Sequence, residues 1–124
     1  VTADSSQLVH MIHDMNATKA TKIYFYESTT VSDSGTPIIP INRNRELNLN
    51  SNLSFYSNPT IISVGNKMYL QHVGADKQTG GDTPRGRIEF ILKLNTSYFY
   101  KHVSEASSNV AYPEWCWYEH TPVD

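Results

Sequence analysis

The sequence predicts an all-β fold, an antiparallel β-sandwich of the jelly-roll kind with about eight or nine strands. Short segments rich in β-branched and aromatic residues alternate with turn residues every eight to twelve positions or so. Residues 87–94 show a clear two-residue alternation of apolar and charged side chains. Charged residues make up 18% of the chain, below the usual share of about 25%, so Asn, Ser and Thr must supply much of the polar surface. These neutral polar residues suit sheets and loops better than helices.

Length, charge and cysteine content set limits on the class of protein. The 124 residues are predicted to form a single domain, 1–124. Ten basic and twelve acidic residues give a net charge of −2, which argues against a nucleic-acid partner because such proteins carry a basic face. No apolar run is long enough for a bilayer, so no membrane partner is expected. One cysteine permits no internal disulfide, which indicates production in a reducing cytoplasm.

The first element, residues 8–15, has two interpretations. Its apolar residues with helical spacing are Leu8, Met11, Ile12 and Met15. In a helix, however, Val9 and His10 would lie where a polar face belongs, so a strand is favoured over a helix.

The next segments alternate between strand and loop. Residues 21–28 contain Ile-Tyr-Phe-Tyr and predict a strand. Residues 38–41 predict a short apolar strand, and the flanking Pro37 and Pro40 favour an edge position or a bulge. The Asn-rich residues 42–52 are expected to be extended or looped.

Two turn signals divide the middle of the chain. Residues 53–56 and 60–64 are predicted to be two strands about a turn at 57–59. A second turn, at Gly65-Asn66, leads to a strand over residues 67–73.

The last third is predicted to contain one long loop and three strands. The polar residues 74–86 form a surface loop that is a candidate functional element because of its length. A tight turn at Asn95-Thr96 should pair the strand 87–94 with an antiparallel strand over 97–103. The final strand covers residues 110–119.

Strand alternation in that final segment places aromatic side chains on both faces. Trp115 and Trp117 share one face, while Tyr112, Cys116 and Tyr118 share the other. A two-layer sandwich buries only one face, so one set must meet a loop, a neighbouring subunit or a sugar. A subunit contact is favoured because interfaces are enriched in Tyr, Trp and Arg, which makes Trp115, Trp117 and Tyr118 candidate interface residues.

Arg43 and Arg45 are further interface candidates. On a strand or an extended loop, residues two apart project to one side, where both guanidinium groups could bind carboxylates of a partner subunit. A solvated polar strand is the alternative.

The sequence predicts no catalytic residue, no metal site and no cofactor. His10 and His13 would point to opposite sides of a strand, which removes them as a ligand pair. Cys116 lies between two tryptophans and is expected to pack as a small apolar group. No hydrolase, phosphate-loop, zinc or calcium motif occurs, so the chain is not expected to be an enzyme.

The order of several short motifs over nearly the whole chain resembles a known family. The motifs are Ile-Tyr-Phe-Tyr-Glu at 23–27, Asn-Arg-Asn-Arg at 42–45, the run 89–96 with Tyr98, and Trp-Tyr-Glu at 117–119. Together they resemble small tailed-bacteriophage virion proteins of the capsid decoration, or cement, type.

This resemblance implies a non-enzymatic β-sandwich or jelly roll on the outer capsid surface of a virion. The implied partners are the major capsid protein and the chain itself, with a homotrimer favoured over a dimer. The alternative, based on the surplus of aromatic side chains, is a carbohydrate- or receptor-binding β-sandwich of a phage tail or fibre.

Overall fold

A computed structural model describes residues 1–3, 7–47, 49–74 and 88–121, and all regular structure within these ranges is β. None of these residues belongs to a helix that could cross a membrane. The strands are β1 Thr2–Ala3, β2 Leu8–Ala17, β3 Thr21–Glu27, β4 Thr30–Asp33, β5 Thr36–Pro37, β6 Leu53–Ser54, β7 Tyr56–Ser57, β8 Thr60–Ser63, β9 Asn66–Val73, β10 Glu89–Leu92, β11 Tyr98–Ser104 and β12 Ala111–His120.

Two three-stranded antiparallel sheets form the body of the protein. Sheet I has the order β10-β2-β12, and sheet II has the order β11-β3-β9. β2 pairs with β12 and β3 pairs with β11, so early strands pair with late ones in a nested manner. A long antiparallel ribbon that rolls up on itself produces this nesting, which is the jelly-roll relation. The predicted antiparallel, jelly-roll-like sandwich is therefore confirmed.

The inner faces of the two sheets form the core. Alternate residues of each strand point inward, as the two-residue period requires. The buried apolar cluster comprises Val9, Met11, Phe25, Leu53, Phe55, Leu92 and Tyr98. The strand interpretation of 8–15 and the strand at 21–28 are both confirmed, because β2 and β3 supply three members of this cluster.

A two-stranded ribbon, here called the arm, extends from sheet II. It consists of residues 30–38 and 55–63, in which β4 pairs with β8 and β5 pairs with β7. The register between β4 and β8 shifts twice, and every residue of β4 is exposed. The arm therefore contributes little to the core, although Phe55, at the end away from sheet II, belongs to the core cluster.

The turns predicted at 57–59 and at Gly65-Asn66 are wrong. The chain keeps its direction through both points, so β7, β8 and β9 follow one another along one side of a continuous ribbon. Asn58 and Gly65 do have positive φ values, of 56° and 82°, but they produce local irregularities instead of reversals. Gly65 is needed there because a Cβ would lie 2.1 Å from the Glu27 carbonyl oxygen.

Two further predictions about strands are wrong. Residues 38–41 form no strand, since the ribbon ends where the Ile38 amide donates to the Phe55 carbonyl, and Ile39 is 88% exposed. Asn95, with φ of 52°, does mark a turn, but β10 and β11 do not pair with each other. Both strands carry inward-facing apolar side chains that pack from opposite sheets, so the turn crosses the sandwich.

The remaining predictions fall partly within the described ranges. Residues 42–47 and 49–52 form no strand, as expected, and the final strand is confirmed as β12. The proposed 74–86 loop lies outside the described residues except for Gly74. The described ranges hold twelve strand segments, more than the eight or nine predicted, because irregularities divide the ribbon into short pieces.

Candidate interaction surfaces

The two tryptophans of β12 face the core. Trp115 and Trp117 are half-buried and pack against Phe55, with ring centroids 5.0 Å and 6.1 Å away respectively. The segment around Phe55 therefore covers the tryptophan face. The tryptophan face is therefore the core face, and the set with Tyr112, Cys116 and Tyr118 is the one that the prediction leaves for a loop, a neighbouring subunit or a sugar.

The Glu119 carboxylate of β12 connects the segment before Phe55 to sheet I. Glu119 accepts hydrogen bonds from the Asn52 backbone amide at 3.1 Å and from the Asn52 side-chain amide at 3.1 Å. It also accepts from the Ser51 hydroxyl and, at 3.1 Å, from the Trp117 indole N–H. Hydrogen bonds to a charged acceptor are among the stronger ones in proteins, so this group orients both the loop and the ring.

The opposite face of β12 remains uncovered within the described residues. Tyr112 is 65% exposed and Tyr118 is 51% exposed. Ile91 of β10, which pairs with the other side of β2, is 60% exposed on the same outer face of sheet I. Of the three aromatic interface candidates, only Tyr118 is available to a partner without rearrangement of the core.

Four polar side chains meet on this outer face and are called the outer cluster: His10, Glu89, Tyr118 and His120. Glu89 accepts hydrogen bonds from His10 Nδ1 and, at 2.9 Å, from the Tyr118 hydroxyl. These two bonds hold the pKa of the Glu89 carboxyl below its usual value, and the bond to Glu89 raises the pKa of the Tyr118 hydroxyl. The His10 ring stacks on Tyr118 with centroids 4.4 Å apart.

A second group lies between the sheets and is called the inner cluster: His13, Tyr100, His102 and Trp115. His13 Nε2 lies 3.1 Å from His102 Nε2, so one imidazole donates to the other. Burial lowers the pKa of His13 to about 4 and also lowers the pKa of His102. Both rings are therefore neutral near pH 7. The Tyr100 hydroxyl and the Trp115 indole N–H are buried without a hydrogen-bond partner in the described structure, and burial raises the Tyr100 pKa.

No local pattern in the sequence indicates these histidine pairs. Alternation did separate His10 from His13, as expected, because they lie on opposite faces of β2. His10 meets His120, 110 residues later, because β2 pairs with β12, and His13 meets His102, 89 residues later, because β11 lies opposite β2 in the other sheet. Only the register between β2 and β12, with Tyr118 opposite His10, could have indicated the outer pair.

A cleft of about 460 Å³ separates the arm from the edge of sheet II. Its walls are largely aromatic and apolar on both sides. The ring-bearing residues that line it are Phe55, Tyr56, Tyr98, Phe99, Tyr100, His102 and Trp115. Both buried groups without a partner, on Tyr100 and Trp115, belong to residues that line this cleft, so a polar ligand or water could satisfy them.

The cleft also borders an unpaired strand edge. The Tyr98 amide and carbonyl bond the carbonyl and amino group of Val1, which places them on the side of β11 away from β3. Antiparallel alternation directs the backbone groups of Tyr100 and His102 to that same side. Within the described part of the chain β11 has β3 as its only long strand partner, so this edge can accept a further strand.

Arg43 and Arg45 lie in the loop beyond the arm, where both are exposed. The loop is organised by successive side-chain caps, in which Asn42 Oδ1 accepts from the Asn44 amide at 2.9 Å and Asn44 Oδ1 accepts from the Glu46 amide at 3.2 Å. Neither arginine forms an ion pair with another described residue.

Exposed apolar side chains are concentrated in the arm and the loop that follows it. Of the sixteen large hydrophobic residues exposed in the described ranges, nine lie between positions 31 and 64. They are Val31, Ile38, Ile39, Ile41, Leu47, Leu49, Tyr56, Ile62 and Val64. Contiguous exposed apolar side chains of this kind are typical of interaction surfaces.

Searches for known relatives give no match to this chain among protein families, curated proteins or solved structures. In the described ranges, no three or more His, Cys, Asp or Glu side chains are grouped around a common cation position. Function must therefore be argued from the surfaces themselves.

Proposed function

We propose that this chain is a non-enzymatic structural protein that decorates and stabilises a phage capsid by binding the shell of the major capsid protein. In this proposal it acts on the outer surface of the virion as a homo-oligomer, with a trimer favoured over a dimer. The observation that carries the proposal is the exposed apolar surface formed by the arm and the loop that follows it. The family resemblance of the sequence supplies the identity of the partner.

The arm and the loop that follows it together have the character of a contact surface. Ile39, Ile41 and Ile62 are 88%, 77% and 70% exposed, respectively. Complete burial of such a side chain is worth about 1.5–3 kcal/mol, so three of them leave several kcal/mol available to association. Soluble monomers rarely keep so many apolar groups together on one projection.

Two further surfaces suit assembly. The outer face of sheet I offers Tyr112, Tyr118 and Ile91 for a contact between copies. Arg43 and Arg45 add positive charge to the loop beside the arm and suit carboxylates on a partner. Repeated weak contacts about a symmetry axis would gain strength through multivalency.

The test is a co-sedimentation assay with purified expanded capsids, together with native mass spectrometry of the protein alone. The double variant Ile39→Ser/Ile41→Ser should lose most capsid binding while its melting temperature stays within a few degrees of the parent, because both side chains are already exposed. Ile88→Ser, at a position 41% exposed outside the arm, serves as the matched control. A monomer that does not co-sediment would refute the proposal.

A carbohydrate- or receptor-binding sandwich of a phage tail or fibre is the second candidate. The cleft favours it, since it combines aromatic walls with the unsatisfied Trp115 N–H and Tyr100 hydroxyl. Sugars are commonly held by ring stacking with a few directed hydrogen bonds.

A glycan array distinguishes this candidate from the first. Trp115→Phe keeps an aromatic ring but removes the indole N–H, so a genuine sugar signal should weaken at least several-fold with little change in stability. An array without any signal would exclude this second function.

A further inference from the structure

Within the outer cluster, the two histidines direct their Nε2 atoms at each other. His10 Nε2 and His120 Nε2 lie 2.8 Å apart, and the ring centroids are 4.8 Å apart. The two rings come from β2 and β12, the adjacent central and edge strands of sheet I. The His10 side chain is 13% exposed, so the strands hold the pair in a defined position.

The other nitrogen of each ring fixes its tautomer. His10 Nδ1 contacts the Glu89 carboxylate, and His120 Nδ1 lies 2.8 Å from the Thr121 carbonyl oxygen. An ionised carboxylate and a carbonyl oxygen can only accept, so both Nδ1 atoms must donate a hydrogen. In the neutral rings both Nε2 atoms then carry lone pairs.

Two lone pairs at this distance repel each other unless an electrophile lies between them. A histidine that donates Nδ1–H to a carboxylate or a backbone carbonyl while its Nε2 binds a metal is the usual arrangement in protein metal sites. The outer cluster has the Nδ1 part of this arrangement twice, once in each ring. The inner cluster does not, because neither His13 nor His102 has an Nδ1 acceptor in the described structure, and one Nε2–H satisfies the other ring.

We propose that His10 and His120 chelate a divalent transition metal ion through their Nε2 atoms, with Glu89 and the Thr121 carbonyl as the groups that orient the two rings. Because the described residues supply only these two ligands, water or a group from a partner would fill the remaining coordination positions. This inference is independent of the capsid proposal.

The separation of the nitrogens indicates the kind of ion. Two ligands at about 2.0 Å from a metal and at 90° to each other are about 2.8 Å apart, as in tetragonal Cu²⁺ or Ni²⁺ sites. A tetrahedral Zn²⁺ would separate them to roughly 3.3 Å. The geometry therefore favours Ni²⁺ and Cu²⁺ over Zn²⁺.

The test is calorimetric titration of the full, untagged chain with Ni²⁺ at about pH 8, because a metal ion binds unprotonated imidazole. Nickel avoids the redox chemistry that Cu²⁺ would undergo with the thiol of Cys116. One site per chain is expected, and its affinity should fall at least about 10-fold in His10→Ala and in His120→Ala.

Two further variants complete the test. His72→Ala removes an exposed histidine of β9 and should leave the Ni²⁺ affinity unchanged. Glu89→Gln removes the charge that orients His10 and should weaken binding by about 10-fold, the usual effect of losing such a partner. Thermal melting without metal confirms that each variant is folded.

Equal Ni²⁺ affinity in the parent and in a folded His10→Ala/His120→Ala double variant would overturn the proposal. So would a complete lack of Ni²⁺ binding by the parent. In either case a shared proton, not a metal ion, would be what separates the two Nε2 atoms.

Discussion

At the scale of single residues, burial of His13 between the sheets should make the free energy of unfolding depend on pH. His13 lies beside His102, Tyr100 and Trp115, so a positive charge there would lose solvation and lie close to a second histidine, with only a smaller opposing effect from Asp14. Burial accordingly lowers its pKa from 6.5 to about 4. In the unfolded chain the same ring takes up a proton near pH 6.5.

We therefore predict that the free energy of unfolding falls as the pH drops from about 6.5 to 4. The unfolded state binds more protons than the folded state in this window, so stability rises with pH, and above it the effect is absent. The loss from His13 should be about 1–3 kcal/mol, after allowance for the partial exposure of the ring. Urea unfolding across this pH range measures it.

The control for this prediction is a comparison of two substitutions. His13→Gln should reduce the slope of stability against pH, whereas His72→Gln on the exposed face of β9 should leave it unchanged. Identical slopes in both variants would mean that other groups cause the acid sensitivity.

At the scale of elements, the path of the ribbon depends on residues with positive φ. Gly35 and Gly65 have φ values of 89° and 82°, and a Cβ on either would lie 2.1 Å from a carbonyl oxygen of the opposite strand. Such a distance cannot be relieved by a side-chain rotation, because the contacted atom belongs to the backbone. The two glycines therefore control how closely the two sides of the ribbon approach.

Gly65→Ala should destabilise the protein by about 2 kcal/mol or more, since it combines a backbone clash with an unfavourable φ. Asn58→Gly is the matched control at another positive-φ position and should change stability by less than about 0.5 kcal/mol, because glycine adopts this conformation readily. Chemical denaturation of the two variants gives the comparison. A Gly65→Ala protein as stable as the parent would show that the ribbon can shift to accommodate the methyl group.

These elements also show what sequence can and cannot predict. The density of strand-forming residues located β3, and alternation assigned the faces of Trp115 and Tyr118 correctly, because both are local properties. The spacing in β2 is helical, and its strand is favoured only because a helix would place Val9 and His10 on a polar face. Local signals at Gly65 could not distinguish an irregularity within a strand from a reversal of the chain. Those at Asn95 could not distinguish a hairpin from a connection that crosses between the two sheets. That distinction depends on which distant strand each segment pairs with.

The candidate sites were less predictable for the same reason. The outer cluster joins residues from three strands that are far apart in sequence, so no local motif in the sequence indicates it. The cleft depends on the arm lying beside β11, and the arm was predicted as separate hairpins. By contrast, the exposed aromatic face with Tyr118 followed from alternation alone.

At the scale of the whole molecule, stability should be distributed unevenly. β3 lies at the centre of sheet II and buries Ile23 and Phe25 almost completely, whereas β4 is exposed throughout and pairs irregularly with β8. Local opening of the arm therefore exposes little apolar surface that was buried, so it costs less than global unfolding.

Native-state hydrogen exchange should reveal this difference. Amides of β3 are expected to exchange only through global unfolding, and those of Val31 and Ile61 through local opening at a rate at least about 100-fold higher. Addition of capsids or another binding partner of the arm should slow exchange in the arm selectively. Uniform exchange of both regions would show that the arm is an integral part of the cooperative fold.

The central position of β2 in sheet I has a consequence for how the protein is made. Its two neighbours, β10 and β12, are synthesised some eighty to a hundred residues after it, with Met11 finally opposite Trp117. Val9, Met11 and Met15 therefore have no sheet partners until β10 and β12 have been translated. Pairings between such distant segments form slowly. Sheet I can close only once β12 has left the ribosome, and until then β2 is the segment that a holding chaperone would be expected to bind.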